Sequence, residues 1–129
     1  MKKVFFFAMF VLSFNFLVFS DDFNLEKFYS QPAMKKQMNE SFKQFNALDK
    51  TMEYSYKVKN NTMVYIYKFT EQQKDIEACR ETIILRLRNS VIDFVITNIE
   101  NESGIKDVRV QYIYYNKDGT EIYNQIWMK

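Results

Sequence analysis

The stretch Met52–Phe69, MEYSYKVKNNTMVYIYKF, decides the fold, because apolar or aromatic residues alternate with polar ones on both sides of an Asn-Asn pair. Alternation with a period of two predicts two half-buried strands. Asn60 and Asn61 tolerate the positive φ that a two-residue hairpin turn requires. That turn imposes the cross-strand pairs Met52 with Phe69, Tyr54 with Tyr67, Tyr56 with Tyr65 and Val58 with Met63. All of these pairs share one face, which is predicted to be the buried face of the hairpin.

A second hairpin is predicted for strands 108–115 and 120–128. The intervening Asn116–Gly119, NKDG, favours a type I turn with Gly119 in a left-handed bulge. The bulged turn predicts the pairs Tyr114 with Ile122, Tyr112 with Asn124 and Val110 with Ile126. A turn without the bulge would shift this pairing by one residue and mix the two faces. The bulged register is the preferred interpretation.

Two helices are predicted around these hairpins. Pro32 in a first helical turn starts one helix, and an apolar face at steps of three and four continues to Leu48. Thr70 and Gln73 are spaced as a capping box. The helix that they would open is predicted to run as one element through Ile99 and to end at residues 101–104.

The predicted fold is therefore α+β, with the order helix-strand-strand-helix-strand-strand. Two helices are expected to pack on one face of a four-stranded antiparallel sheet. An aromatic content of 18% supports a substantial sheet. Residues 30–129 are predicted to form a single domain, and residues 21–29 a flexible lead-in.

Residues 1–20 have the layout of a secretory signal peptide. Lys2 and Lys3 precede an apolar run from Val4 to Phe19, and Ser20 offers a small residue for cleavage. The run is shorter than the roughly 20 residues that span a bilayer, although an uncleaved anchor is the alternative. No cysteine follows the run, so a lipoprotein is not expected. The mature protein is predicted to be secreted or periplasmic, with no stable membrane span after cleavage.

The composition argues against several classes of function. Removal of Lys2 and Lys3 leaves 16 basic and 16 acidic residues, and this balance argues against a nucleic-acid partner. The chain has no histidine and only two glycines, so imidazole catalysis and phosphate-cradling loops are not expected. Cys79 is the single cysteine and is interpreted as a buried helical residue. No cofactor and no metal site is predicted.

Two segments carry a family resemblance. EYSYKVKNNTMVYIYKF (residues 53–69) and VRVQYIYYNKDGTEIYNQIW (residues 108–127), with the polar helix opening between them, resemble a family of small bacterial secreted proteins and lipoproteins classed as a domain of unknown function. The resemblance implies a bacterial envelope or extracellular setting. It implies neither an activity nor site residues, and this chain lacks the cysteine of the lipid-anchored members.

Tyr115, Tyr123 and Trp127 are the candidate binding residues. In the bulged register they share the outer face of the sheet, and exposed aromatic residues with a polar rim mark interaction surfaces. The alternative is that an amino-terminal segment containing Phe23, Leu25 and Phe28 folds over that face and buries the three aromatic residues. The two interpretations stay open at this point.

A non-catalytic binding module with a protein or cell-envelope partner is the leading functional hypothesis. A hydrolase that works with carboxylates alone is the first alternative. Its candidate residues lie around the second predicted helix, and they are Glu71, Asp75, Glu77, Glu81, Glu100 and Glu102. A secreted enzyme inhibitor that uses the Asn116–Gly119 turn is the second alternative. The sequence predicts no oligomeric state and does not separate a periplasmic from an extracellular location.

Overall fold

The computed structural model describes residues 23–129, and the predicted signal peptide lies outside this range. The helices of the described range are α1 (Leu25–Ser30), α2 (Pro32–Leu48), α3 (Ile76–Arg86) and α4 (Asn89–Ser103). Its strands are β1 (Met52–Lys59), β2 (Thr62–Phe69), β3 (Arg109–Tyr115) and β4 (Glu121–Met128). The predicted α+β class, with helices on one face of a four-stranded sheet, is confirmed.

The four strands form one sheet in the order β1-β2-β3-β4. The two hairpin pairs are antiparallel, whereas the central β2–β3 pair is parallel. The sheet is therefore mixed, and not antiparallel throughout as expected. The cause is the crossover through α3 and α4, which returns the chain to the end of the sheet where β2 began.

The first hairpin has the predicted register. Tyr54 lies opposite Tyr67 and Tyr56 opposite Tyr65, and Asn60 adopts a φ of 53° in the turn. The face that carries these tyrosines is covered by the helices, and we call it the inner face; the opposite side of the sheet is the outer face. The prediction that the tyrosine face is buried is confirmed.

The turn of the second hairpin also forms as predicted. The amide N of Asn116 lies 2.8 Å from the carbonyl O of Thr120, and Gly119 has a φ of 90°. Next to the turn, Tyr115 pairs with Glu121, as the predicted register requires.

A further bulge beyond this pair makes the predicted pairing of the remaining strand wrong by one residue. Ile122 is the extra residue, so Tyr114 lies opposite Tyr123 and Val110 opposite Trp127. Each β4 residue after the bulge therefore points to the face opposite to the predicted one. Tyr123, Gln125 and Trp127 alternate onto the inner side, and Asn124, Ile126 and Met128 onto the outer side.

The bulge is stabilised from α3. The Ile122 side chain is buried, and its carbonyl oxygen accepts a 3.0 Å hydrogen bond from Nε of Arg80. Glu77, one turn earlier on the helix, forms a 2.6 Å ion pair with the same guanidinium. Because a bulged residue has lost its partner in the strand ladder, this contact supplies the acceptor with a donor.

The segment expected to be a flexible lead-in contains α1. Asn24 caps this helix by accepting a 2.9 Å bond from the Lys27 amide. Leu25 and Phe28 are completely buried in the core. Six residues are too few to display a helical period, but tertiary burial stabilises such a short helix.

The long second helix is divided into α3 and α4. Leu87 and Arg88 separate the two helices, and the buried side chain of Leu87 joins the core. The predicted capping box is wrong, because Asp75 caps α3 through a 3.1 Å bond from the Ala78 amide. Thr70 instead donates its hydroxyl to the carbonyl of Lys50 at 2.8 Å, which ties the end of β2 to the start of β1.

One hydrophobic core lies between the helices and the inner face. Its members come from every helix and strand except β1, which contributes partly buried side chains. Among the described helices, none combines the length and the apolar character that a bilayer crossing demands.

Candidate functional site

The three aromatic residues predicted to form a site do not lie together. Tyr115 is on the outer side of β3, while Tyr123 and Trp127 are on the inner side of β4 and pack against the core. The bulge at Ile122 separates them. The alternative in which the amino-terminal segment covers them on the outer face does not hold either, because Phe28 is buried in the core on the inner side.

A groove with a volume of about 980 Å³ lies on the outer face. Its floor is apolar and consists of Val64, Ile113 and Ile126, from three adjacent strands. Its rim is polar and basic. Phe23 also lines the groove, and the rim residues are Asn24, Lys27, Lys57, Lys59, Asn60, Asn61, Thr62, Asp107, Arg109 and Gln111.

The rim of this groove has a positive charge. Lys27, Lys57, Lys59 and Arg109 face only one carboxylate of the rim, that of Asp107. Within residues 23–129 none of the four cations lies within 4.0 Å of a carboxylate oxygen. Cations grouped around an open groove attract a negatively charged ligand.

Asn61 positions the elements that form the rim. Its side-chain Oδ1 accepts a 3.0 Å bond from the Leu25 amide, which attaches α1. Its carbonyl oxygen accepts a 2.9 Å bond from the Arg109 amide, which starts the parallel pairing of β3 with β2. A single turn residue therefore fixes the position of the cations on α1 and β3 relative to those on β1.

The alternation in the sequence predicts that Lys57 and Lys59 lie on the outer side of the first hairpin and Arg109 on the outer side of the second. It does not predict that they lie together, because nothing in the local pattern specifies that β3 lies beside β2. The signal that could have found the groove is the right-handed β-helix-β crossover, which makes the two strands parallel neighbours.

The inner face carries a continuous cluster of aromatic rings. Tyr67 is its centre, with ring centroids 5.3 Å from Tyr54, 4.7 Å from Tyr114 and 6.1 Å from Tyr112. Burial raises the pKa of Tyr112 to about 12. Burial, followed by the hydrogen bond that Tyr54 donates to Asp49, raises the pKa of Tyr54 to about 12 as well. Burial also raises the pKa of Tyr67 and Tyr114.

These raised pKa values predict a loss of stability in alkali. An unfolded tyrosine ionises near pH 10, whereas Tyr112 in the folded protein retains its proton to about pH 12. The unfolded state therefore binds fewer protons above pH 10, and the free energy of unfolding should fall between pH 10 and 12. Urea unfolding at pH 8 and pH 11 measures this fall. The free energy of unfolding should fall less in the variant Tyr112→Phe than in the wild type. An equal fall in the two proteins would mean that groups other than Tyr112 cause it.

Among the described residues, two carboxylates line the same groove. Asp49 and Glu53 line one groove of about 560 Å³. Hydrogen bonds from Thr51 and Tyr54 lower the pKa of Asp49, so this carboxyl is held ionised and is unsuited to protonate a leaving group. In the described part of the chain no cluster of three or more Asp, Glu, Cys or His side chains could hold a metal ion.

Cys79 lies on α3 and is partly buried. Burial raises the pKa of its thiol. A raised pKa lowers the fraction of thiolate, which is the reactive form. The side chain packs against the core, in agreement with its interpretation as a helical packing residue.

The sequence and the fold were compared with known proteins. The model of a family described as a domain of unknown function, DUF4854, matches residues 25–127. The fold resembles that of a Pseudomonas aeruginosa protein described as a "putative secreted protein" and solved at 1.60 Å, with a TM-score of 0.52 and 18% identity over 82% of this chain and 90% of that chain. That likeness concerns the fold alone. No curated protein matches the sequence. Since the family model covers most of the chain, the protein belongs to the DUF4854 family of domains of unknown function.

Proposed function

We propose that the protein is an exported, non-catalytic binding module that holds an anionic polymer of the cell envelope in its outer-face groove. The observation that carries the proposal is the group of four cations, Lys27, Lys57, Lys59 and Arg109, which shares the groove with a single carboxylate of the lining, that of Asp107. The export part of the proposal is supported by the signal-peptide pattern of residues 1–20.

The shape of the groove favours an extended ligand. A volume of about 980 Å³ is at the upper end of the range of small-molecule pockets. The groove crosses all four strands, with Lys59 and Arg109 in one cross-strand row and the exposed Ile126 on β4. Several successive units of a charged polymer would contact the cations while their less polar parts cover the exposed side chain of Ile126.

Electrostatic recognition by the rim is also consistent with the overall charge balance. The chain after residue 20 has equal numbers of acidic and basic residues, so general attraction of polyanions is weak. Binding should therefore depend on the local group of cations and weaken as salt screens it.

Reversal of two rim charges tests the proposal. The variant Lys59→Glu with Arg109→Glu should bind dextran sulfate about tenfold more weakly than the wild type, because attraction at the groove becomes repulsion. Isothermal titration with dextran sulfate measures the affinity, and neutral dextran of equal length should not bind.

A matched control separates the groove from the overall charge. The variant Lys36→Glu with Lys74→Glu makes the same change in net charge at exposed positions outside the groove. Its affinity for dextran sulfate should stay within about twofold of the wild type. Equal weakening of the two double variants, or a wild type that does not bind dextran sulfate, would refute the proposal.

The alternatives from the sequence receive less support. For the hydrolase, three of the six candidate carboxylates have structural partners: Asp75 caps α3, Glu77 pairs with Arg80, and Glu102 accepts a hydrogen bond from the Tyr29 hydroxyl. For the inhibitor, the Asn116–Gly119 turn is fastened to residues 72–73, but no feature of the turn indicates a particular enzyme.

A further inference from the structure

The free edge of β1 is closed at two points and open between them. The backbone amide and carbonyl of Tyr54 point away from β2, and the Asn46 side chain of α2 bonds to both. Asn46 Oδ1 accepts from the Tyr54 amide at 2.7 Å, and Asn46 Nδ2 donates to the Tyr54 carbonyl at 3.0 Å. At the other end of the edge, Glu26 of α1 accepts from the Asn60 amide at 2.8 Å and donates its own amide to the Asn60 carbonyl at 2.8 Å.

The alternation of an antiparallel strand determines which residues lie in the gap. Because the backbone N–H and C=O groups of Tyr54 point away from β2, those of Tyr56 and Val58 do so too. The backbone groups of the residues between them pair with β2. Within residues 23–129 no hydrogen bond reaches the amide or carbonyl of Tyr56 or Val58 on this edge. Four backbone groups in ladder geometry are therefore open to an external strand.

A groove adjoins the gap. It has a volume of about 280 Å³ and runs between Tyr56–Val58 and the α1–α2 corner, where Lys35 and Asn39 form the far wall. A second groove of about 430 Å³ shares Asn39 and Tyr56 with the first, and continues past Lys43 toward Asn46. Side chains of an added strand that point toward α2 have space in these two grooves.

The charge along the grooves indicates the chemistry of the occupant. Lys35 and Lys43 are exposed, and neither lies within 4.0 Å of a carboxylate in the described range. Glu26, the acidic residue of the groove wall, is already engaged by the Asn60 amide. The grooves therefore favour an acidic side chain.

We propose that the Tyr56–Val58 edge binds an extended, acidic segment of a partner protein by β-strand addition. The segment pairs with the four open backbone groups and places an acidic side chain beside Lys35 or Lys43. The closures at Tyr54 and Asn60 are six residues apart, about 20 Å at about 3.4 Å per residue. This span limits the paired part of the partner to a few residues.

A second copy of the protein is a poorer occupant of the same edge. Antiparallel self-pairing through Tyr56 and Val58 would place Lys57 of one copy directly opposite Lys57 of the other. Like charges in facing positions destabilise a strand pair. A partner with acidic residues at these positions avoids that repulsion.

Amide hydrogen exchange with a defined peptide tests the proposal. The probe is a capped seven-residue peptide in which Val alternates with Thr or Glu, and we call it the Glu peptide. The control, the Lys peptide, has Lys in place of each Glu. Saturation with the Glu peptide should slow exchange at the Tyr56 and Val58 amides about tenfold. The Tyr54 amide, already bonded to Asn46, serves as the internal control and should not change.

Changes to the peptide and to the protein identify the contacts. N-methylation of the pairing residue of the peptide should weaken binding about tenfold, because a ladder hydrogen bond is lost and the methyl group obstructs the edge. The variant Lys35→Glu with Lys43→Glu should weaken binding of the Glu peptide about tenfold. Arg109→Glu with Lys74→Glu makes the same change in net charge away from this edge and should leave binding of the Glu peptide unchanged, which separates the edge from the outer-face groove.

Three results would overturn the proposal. They are unchanged exchange at Tyr56 and Val58 with the Glu peptide, equal affinity for the Glu and Lys peptides, and protection of these amides in a dimer without peptide. Sedimentation velocity at increasing protein concentration detects the last case.

Discussion

Replacing Phe28 with alanine is expected to lower the free energy of unfolding by about 3–5 kcal/mol, the usual cost of removing a completely buried aromatic ring. The Phe28 side chain has no exposed area, and its ring packs edge-on against Tyr29 at 4.9 Å. It joins α1 to the core, so the loss of the ring leaves a cavity under the helix. Urea unfolding of wild type and variant measures the difference.

A matched pair of variants keeps this prediction testable even if Phe28→Ala is too unstable to fold. Phe28→Leu retains most of the volume and should cost less than about 1.5 kcal/mol. Lys27→Ala, on the exposed side of the same helix, should change stability by less than about 0.5 kcal/mol. If Phe28→Ala cost no more than Lys27→Ala, α1 would be a loosely attached segment, as its sequence suggested.

The sequence predicts α1 poorly for a physical reason. The helix has six residues, less than two full turns, so an apolar period cannot be recognised. Asn24 followed by Glu26 is a weak local signal for a helix start. What holds the helix is burial of Leu25 and Phe28 together with the bonds from the Asn60–Asn61 turn, and these are tertiary contacts.

The two hairpins differ in predictability because they differ in what sets the register. In the first, a two-residue turn and strict alternation specify the same pairing, which is confirmed. In the second, the turn is also predicted correctly, but the register depends on the bulge at Ile122. The Arg80 bond that stabilises the bulge comes from a helix about 40 residues away, so no local pattern reveals it.

The candidate site shows the same dependence on distant contacts. The sequence assigns Lys57 and Arg109 to the outer side of their strands, but their proximity follows from the parallel pairing of β2 with β3. The predicted trio of Tyr115, Tyr123 and Trp127 depends on the register, and a slip of one residue divides it between two faces.

Asn116 is the second residue whose replacement is expected to lower stability strongly. It begins the β3–β4 turn and is only 1% exposed. Its Oδ1 accepts from the Gln73 amide at 2.8 Å and from the Lys117 amide at 3.0 Å, and its Nδ2 donates to the Gln73 carbonyl at 3.0 Å. One buried side chain thus satisfies both backbone groups of Gln73 and fastens the segment before α3 to the turn.

Asn116→Ala should therefore lower the free energy of unfolding by about 2–4 kcal/mol, since three hydrogen bonds are lost and buried backbone groups keep no partner. Asp118→Ala removes bonds to Thr120 and Gln72 at an exposed position of the same turn, and should lower the free energy of unfolding clearly less than Asn116→Ala does. Urea unfolding gives both values, and exchange of the Gln73 amide should accelerate in Asn116→Ala alone. Equal costs for the two variants would mean that water replaces the Asn116 amide, and that the segment before α3 is held by its neighbours without this clamp.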